Sequence, residues 1–464
     1  MQSLRSVIYA VSLILTVFIS VVYRVFFFWR IGNRDCKRVL NYGADLYALA
    51  RKGNLNHAWN LINPLRVFEK VFTVCSDPRS LQLDLKEEWL VPVLVSRWPW
   101  LRILKLFHLC QREQIGLFRG REPNMAAFVG LCLKIALGIP MILSTGGDHR
   151  LSQDLQGKYA FGSRRVAFLV EEMAYRYADL IFCINQYTRK LIENLGGGKR
   201  NLLVENPIRI DGDIFDYRKY DGVSFKAKEK IGESTKVVLY VGRLEYDKQV
   251  DIFFDAIPAV LSEFPTTLFY ALGDGLLRRP LEEKVYQERI RERVVFKGFV
   301  SNEELPHYYR MADVVCIPMS GFVIYEAAAM QRPIVAFDVD WHAEFVENGV
   351  TGLLIPNRDV KKLAEGILSL LRDEKLAMQL AQNARKKFIE KYEPQQLVKR
   401  EASIIEDFCQ RLKSRTAYRV ASLFVRCDET WKMVIPYCIA NVVGPFLLKC
   451  PIDMFAIIVR NPIQ

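Results

Sequence analysis

The chain has no Cys-x-x-Cys pair, and none of its cysteines or histidines falls at metal-ligand spacing. Its ten cysteines, at 36, 75, 110, 132, 183, 316, 409, 427, 438 and 450, lie mostly inside apolar runs, where a free thiol is a small buried hydrophobe. Neither a zinc site nor a disulfide framework is therefore expected. Internal repeats and low-complexity tracts are missing too, which argues against a repeat architecture. Acidic residues run short, 52 against 65 basic ones, for a formal charge of +13. With 51% hydrophobic and 25% charged residues, the 464-residue chain is not a disordered protein. The excess charge is concentrated at the ends: residues 1–38 carry +5, residues 409–464 carry +5, and the residues between carry +3. A nucleic-acid binder would spread its excess over a folded face, so no nucleic-acid partner is expected. Basic residues flanking apolar ends point instead to an anionic membrane surface.

Residues 7–23 form an uncharged run of 17 residues, about 26 Å long if helical. Arg24 interrupts the apolar stretch and can snorkel. No small-x-small cleavage site follows, so a retained transmembrane helix is expected within residues 1–34 rather than a signal peptide. The cations Arg24, Arg30, Arg34, Lys37 and Arg38 follow the run and predict a cytoplasmic location for the rest. Near the other end, residues 433–448 are uncharged but broken by Pro436, Gly444 and Pro445. They read as an interfacial or docking segment, or as a tail packed on the folded domains. Trp98 opens a third apolar stretch, in which Arg102 and Lys105 share one helical stripe; it suits a lipid interface or a core helix with a narrow wet face.

Between the ends, short β-branched runs alternate with helical patterns. Strands are predicted at 71–75, 91–95, 115–118, 139–144, 180–184 and 202–205, and again at 236–241, 267–272, 293–298, 313–318, 333–337 and 353–356. Runs apolar on both faces and separated by helices indicate parallel sheets covered on both sides. The fold class is α/β, with two doubly wound Rossmann-like domains, 35–208 and 209–394, facing a cleft. Residues 395–464 hold a helix, which returns toward the first domain, and the tail.

The residues with the clearest chemistry follow a buried strand. Gly242 permits a sharp turn, and Arg243 and Lys248 then place two cations beside a helix start, an arrangement suited to a diphosphate. A second loop runs from Pro318 through Gly321, Phe322 and Val323 into a helix whose first amides would be open donors. Glu326, one turn in, could accept hydrogen bonds from ribose hydroxyls. Asp148 and His149 close the strand 139–144, and Arg119, Arg121 and Asn124 follow the strand 115–118, all opening toward the cleft. Asp338 and Asp340 match a metal-binding Asp-x-Asp pattern by spacing alone. Gly196, Gly197 and Gly198 follow a helix and read as its C-cap.

In the order and spacing of GRLEYDK (242–248), LGDGLLR (272–278), VVFKGFV (294–300), SGFVIYEAAAMQRPIVA (320–336) and EFVENGVTGLLIP (344–356), the chain resembles the retaining nucleotide-sugar glycosyltransferases of the GT-B fold, group 1 or family 4 type. The resemblance implies that Gly242, Arg243 and Lys248 hold the donor diphosphate, Gly321, Phe322 and Val323 its distal phosphate, and Glu326 the ribose. Phe299 and Val300 would meet the base. It also implies His149, with Asp148, at the reacting centre, Arg119, Arg121 and Asn124 on the acceptor side, and no metal or other cofactor. Two positions depart from the pattern: Pro318 stands where a first glutamate is common, and Gln249 stands where glycine usually follows the lysine. The implied activity is retaining transfer of a sugar from a nucleoside diphosphate; the anchor and basic flanks point to a membrane-held acceptor, a lipid-linked saccharide or glycolipid in cell-surface polysaccharide assembly. A non-catalytic subunit of a glycan-assembly complex and a nucleotide-sugar epimerase are the alternative readings.

Overall fold

Strands that are apolar on both faces must be covered on both faces, and the chain builds two such sheets. The computed structural model describes residues 15–20, 22–23, 35–43, 46, 59, 62–83, 85, 87–96, 98–157, 159–199, 201–207, 209–319 and 321–415. Its first sheet comprises β1 (Asp35–Tyr42), β2 (Lys70–Cys75), β3 (Leu90–Leu94), β4 (Ile115–Arg121), β5 (Met141–Thr145), β6 (Leu180–Cys183) and β7 (Leu202–Glu205). The second comprises β8 (Val237–Val241), β9 (Leu268–Leu272), β10 (Val294–Gly298), β11 (Val314–Ile317), β12 (Ile334–Asp338) and β13 (Leu353–Pro356). The strand orders are β3-β2-β1-β4-β5-β6-β7 and β10-β9-β8-β11-β12-β13, and the pairings are parallel. Strand order reverses between β1 and β4, and again between β8 and β11. At such a switch point the helices diverge to opposite faces and leave a crevice at the strand C-termini.

The sequence pattern does not announce β1, because Lys37, Arg38 and Asn41 interrupt its apolar residues. It is nonetheless a central strand, with Val39 and Leu40 fully buried. Its two cations leave the core lengthwise: Lys37 Nζ donates to the Val67 carbonyl at 3.1 Å and an Arg38 Nη to the Glu113 carbonyl at 3.0 Å. Gly43 then ends the strand with φ +111°, and a Cβ there would lie 2.8 Å from that of Arg121. The two strand ends at the first switch point thus touch through a residue that must be glycine.

The helix Pro99–Arg112 buries Ile103, Leu106, Phe107 and Cys110 and leaves Trp98, Leu101 and Leu104 exposed beside it. Its cations do not line a lipid-facing stripe as one sequence reading had it. Lys105 Nζ donates to the Leu94 carbonyl at 2.7 Å, and Arg102 Nε to the Ser96 carbonyl at 3.0 Å, so both cap the end of β3. Only part of the run expected to cross a membrane is described. There, residues 15–20 are helical, Val17, Ile19 and Tyr23 pack against the first-domain core, and the Tyr23 ring lies 4.8 Å from that of Phe107. Among the described residues no helix is long and apolar enough to cross a membrane. The remainder of the run and the segment 433–448 lie outside the described residues.

The helix Pro394–Arg415 follows the second domain yet packs on the first: Ala402, Ile405, Phe408 and Leu412 join the cluster containing Val39, Val71 and Leu117. Glu401, 1% exposed, is its polar anchor. It accepts from Arg119 Nη2, from Asn206 Nδ2 at 2.9 Å, and pairs with Arg209 Nη1 at 2.8 Å.

Candidate functional site

The loop after β8 carries Gly242, Arg243 and Lys248 to the second switch point. It is stitched to the loop after β9 by backbone bonds: Gly242 N–H to the Leu272 carbonyl, Leu244 N–H to that of Asp274, and Leu277 N–H to that of Leu244. The loops approach so closely that a Cβ on Gly273 would lie 1.9 Å from the Gly242 carbonyl oxygen. Arg243 donates from Nη2 to Asp247 Oδ2 at 2.6 Å, which aims the guanidinium while leaving it half exposed. Gln156 of the first domain donates to the same carboxylate oxygen at 3.1 Å. Burial lowers the Lys248 pKa; the Asp247 and Asp340 carboxylates oppose that shift and Arg243 adds to it. An ammonium in that setting gains from an arriving anion.

Opposite, across the β8/β11 crevice, the helix Phe322–Ala329 begins at Gly321. The amides of its first turn have no partner within the helix and provide the second set of anion donors. Glu326 is half-buried one turn in, and Tyr309 Oη donates to its Oε2 at 2.6 Å. Burial raises the Glu326 carboxyl to about 7, and the Tyr309 hydrogen bond pulls the other way. Phe299, just past β10, leaves its ring 62% exposed, while Val300 packs into the core. The loop with Arg243 and Lys248 and the helix with Glu326 thus leave the ends of the paired strands β8 and β11 and flank one crevice. Gln249 takes the left-handed conformation (φ 49°, ψ 32°) before the helix Val250–Glu263, in the place where the resembled pattern has glycine.

On the first-domain wall, Asp148 caps the helix His149–Gln156. One of its oxygens accepts the Leu151 N–H at 2.9 Å and the other accepts Tyr187 Oη at 3.1 Å. His149 Nε2 is paired with Glu122. Burial opposes charge on both, yet the pair wins: the Glu122 pKa falls and that of His149 rises. The acceptor-side candidates divide. Arg119 is buried and held by Glu401 and by the Ile62 carbonyl at 3.0 Å, so it clasps the C-terminal helix and does not open toward the cleft. Asn124 caps the helix Met125–Leu137 through its Oδ1 to the Ala126 N–H at 3.1 Å. Arg121 lies beside Glu122, and burial, with Arg119 adding, lowers its pKa.

Several cleft residues were not singled out from the sequence. Glu122 has φ 71° and faces His149. Tyr187 and Asp247 orient Asp148 and Arg243. Glu344 of the second domain accepts the N–H groups of Gln186, at 2.9 Å, and Tyr187, tying its helix to the start of the helix Gln186–Asn194. Asp247 lies inside a recognisable motif, so its role was open to sequence reasoning; the others are assembled from different strands.

Comparison with known proteins places these features. Residues 224–387 match the family Glycosyl transferases group 1. The chain is 27% identical over 267 residues to Alpha-D-kanosaminyltransferase of Streptomyces kanamyceticus, covering 56% of this chain and 68% of that one. It is 25% identical over 262 residues to GDP-mannose-dependent alpha-(1-6)-phosphatidylinositol monomannoside mannosyltransferase of Mycobacterium tuberculosis, covering 54% and 68%. It spans only 44% and 35% of two further curated relatives. Among solved structures, HepE of Anabaena in complex with UDP superposes with a TM-score of 0.65 at 17% identity, covering 80% of this chain and 100% of that one. The two sheets have the GT-B arrangement, and residues 224–387 match the family of glycosyl transferases group 1.

Proposed function

We propose that the chain is an active glycosyltransferase that moves a sugar, with retention, from a nucleoside-diphosphate donor to an acceptor held at a membrane, a lipid-linked saccharide or glycolipid of cell-surface polysaccharide assembly. The observation that carries this reading is the placement of Arg243, Lys248, the start of the helix Phe322–Ala329 and Glu326 beside the β8/β11 crevice. Two cations and a helix start neutralise the diphosphate as the glycosidic bond breaks, without a metal or other cofactor. The carboxylate of Glu326 accepts the ribose hydroxyls. The departing phosphate oxygen takes the acceptor's proton, and His149, held by Glu122, donates toward the reacting sugar.

The membrane part of the reading rests on residues 7–23 and their basic flank, and on the exposed Leu15, Phe18, Trp98, Leu101 and Leu104. We place the cleft on the cytoplasmic side. The test is replacement of Lys248 or Arg243 by alanine, followed by calorimetric titration with UDP and GDP and by assay of nucleotide-sugar turnover. Binding should fall at least about 30-fold, as expected when a charge-assisted phosphate contact in a partly buried site is lost. Wild-type affinity and kcat/KM in both variants would refute the donor site.

A further inference from the structure

Asp340 follows β12 in a left-handed backbone conformation, φ +54°, where an Asp is tolerated at a cost that glycine would avoid. It belongs to the Asp338–Asp340 pair, and its placement sets it apart from its neighbour: Asp338 is exposed, whereas Asp340 is half-buried and lies near the first domain. A Cβ on Gly147 of the first domain would lie 3.9 Å from Asp340 Oδ2. Its other oxygen, Oδ1, is buried, and no described residue hydrogen-bonds to it. The charged groups it senses are Asp148, Lys248, Glu344 and His149, so it lies between the proposed diphosphate cation and the proposed reacting centre.

The loop that carries Asp340 is rigid. Trp341 is buried and stacks on Tyr325 of the Glu326 helix, with ring centroids 5.4 Å apart at 24°. His342 Nδ1 hydrogen-bonds the Phe337 carbonyl at 2.9 Å, closing the loop from its other end. Pro318, at the end of the neighbouring strand β11, offers no polar side chain. A strained backbone, a braced loop and an unpartnered buried oxygen are features expected of a ligand-reading residue.

We propose that Asp340 recognises the donor sugar, accepting hydrogen bonds from its hydroxyls and so determining which nucleotide sugar is taken. The inference rests on the donor-site reading above and deepens it. A carboxylate suits this task because a sugar ring offers hydroxyl donors whose positions distinguish one hexose from another, and leaving them unpaired in a buried site is costly.

The test uses the full chain with Asp340→Gly and Asp340→Asn. Glycine removes the side chain and suits the left-handed backbone, so it should fold; asparagine keeps a hydrogen-bonding side chain. Affinities are measured for UDP and GDP and for UDP-glucose, UDP-N-acetylglucosamine and GDP-mannose, and each sugar is compared with its parent diphosphate. In Asp340→Gly the diphosphates should bind within about twofold of wild type, while the preferred nucleotide sugar loses about 10- to 100-fold, the range for a charged hydrogen bond. Asp340→Asn should recover part of that loss or shift the preference among the three sugars. An unchanged ratio of sugar to diphosphate affinity in Asp340→Gly would overturn the assignment while leaving the donor site standing. Equal losses for diphosphate and sugar would overturn it as well, placing Asp340 at the phosphates or in the fold. Absence of diphosphate binding in the wild type would instead sink the donor-site reading, and this inference with it.

Discussion

Replacing Glu401 by alanine should loosen the C-terminal helix from the first domain. The carboxylate is 1% exposed and is met by Arg119, by Arg209 at 2.8 Å and by Asn206 at 2.9 Å. Without it, two guanidiniums, each about 4% exposed, are left facing each other with no counter-charge. Breaking a buried pair by removing one partner costs about 3–5 kcal/mol, and the second arginine places this site toward the upper end. Ala402, Ile405, Phe408 and Leu412 still hold the helix by apolar contact, so the expected result is weakened docking rather than an unfolded chain. Urea unfolding should show about 4 kcal/mol lost from the first-domain transition. Hydrogen exchange should speed up selectively in the helix Pro394–Arg415. A loss under about 1 kcal/mol with unchanged exchange would refute the reasoning, since a desolvated charge cluster cannot lose its counter-ion so cheaply. Arg119→Met supplies the matching control: it should lower stability while leaving the KM for any acceptor unchanged, the reverse of what an acceptor-binding arginine would do.

Burial holds the Glu326 carboxyl at about 7, against an ordinary 4.5, so the folded chain binds this proton more tightly than the unfolded one. Its contribution to stability therefore falls as pH rises through that window, whereas nucleotide binding, which needs the carboxylate, strengthens. UDP should bind up to about 10-fold more weakly at pH 6 than at pH 8, and Glu326→Gln should bind weakly with this group's pH dependence removed; an unaltered profile in that variant would exclude Glu326. Gly273→Ala should be disruptive, because its Cβ would lie 1.9 Å from the Gly242 carbonyl oxygen at φ +132°. Thermal or urea unfolding should show a loss of about 1–3 kcal/mol, and UDP affinity should fall as the Arg243 loop is displaced; a wild-type-like variant would contradict the close packing of the two loops.

Much of this protein was legible from local pattern. Alternating apolar runs and helices set two doubly wound sheets, since a strand buried on both faces has few other ways to be covered. Arg243 and Lys248 could be singled out too, because they sit within a few residues of a strand end and a helix start. The strand β1 was hidden, as Lys37 and Arg38 look exposed in sequence and only their reach to the Val67 and Glu113 carbonyls explains them. Arg119 misled for a related reason: its neighbours in sequence suggested the cleft, and its partner, Glu401, lies 282 positions away.

Short-range spacing alone carried the class of fold and the placing of two cations and a helix start at neighbouring strand ends. What only the tertiary structure decided was which distant residues meet. Glu122 against His149, Glu344 against the start of the Gln186 helix, and Asp340 against Gly147 are each contacts between elements far apart in the chain. Burial and partnership settle whether a charge fastens the fold or faces a ligand, and neither is a property of the residues immediately before and after it.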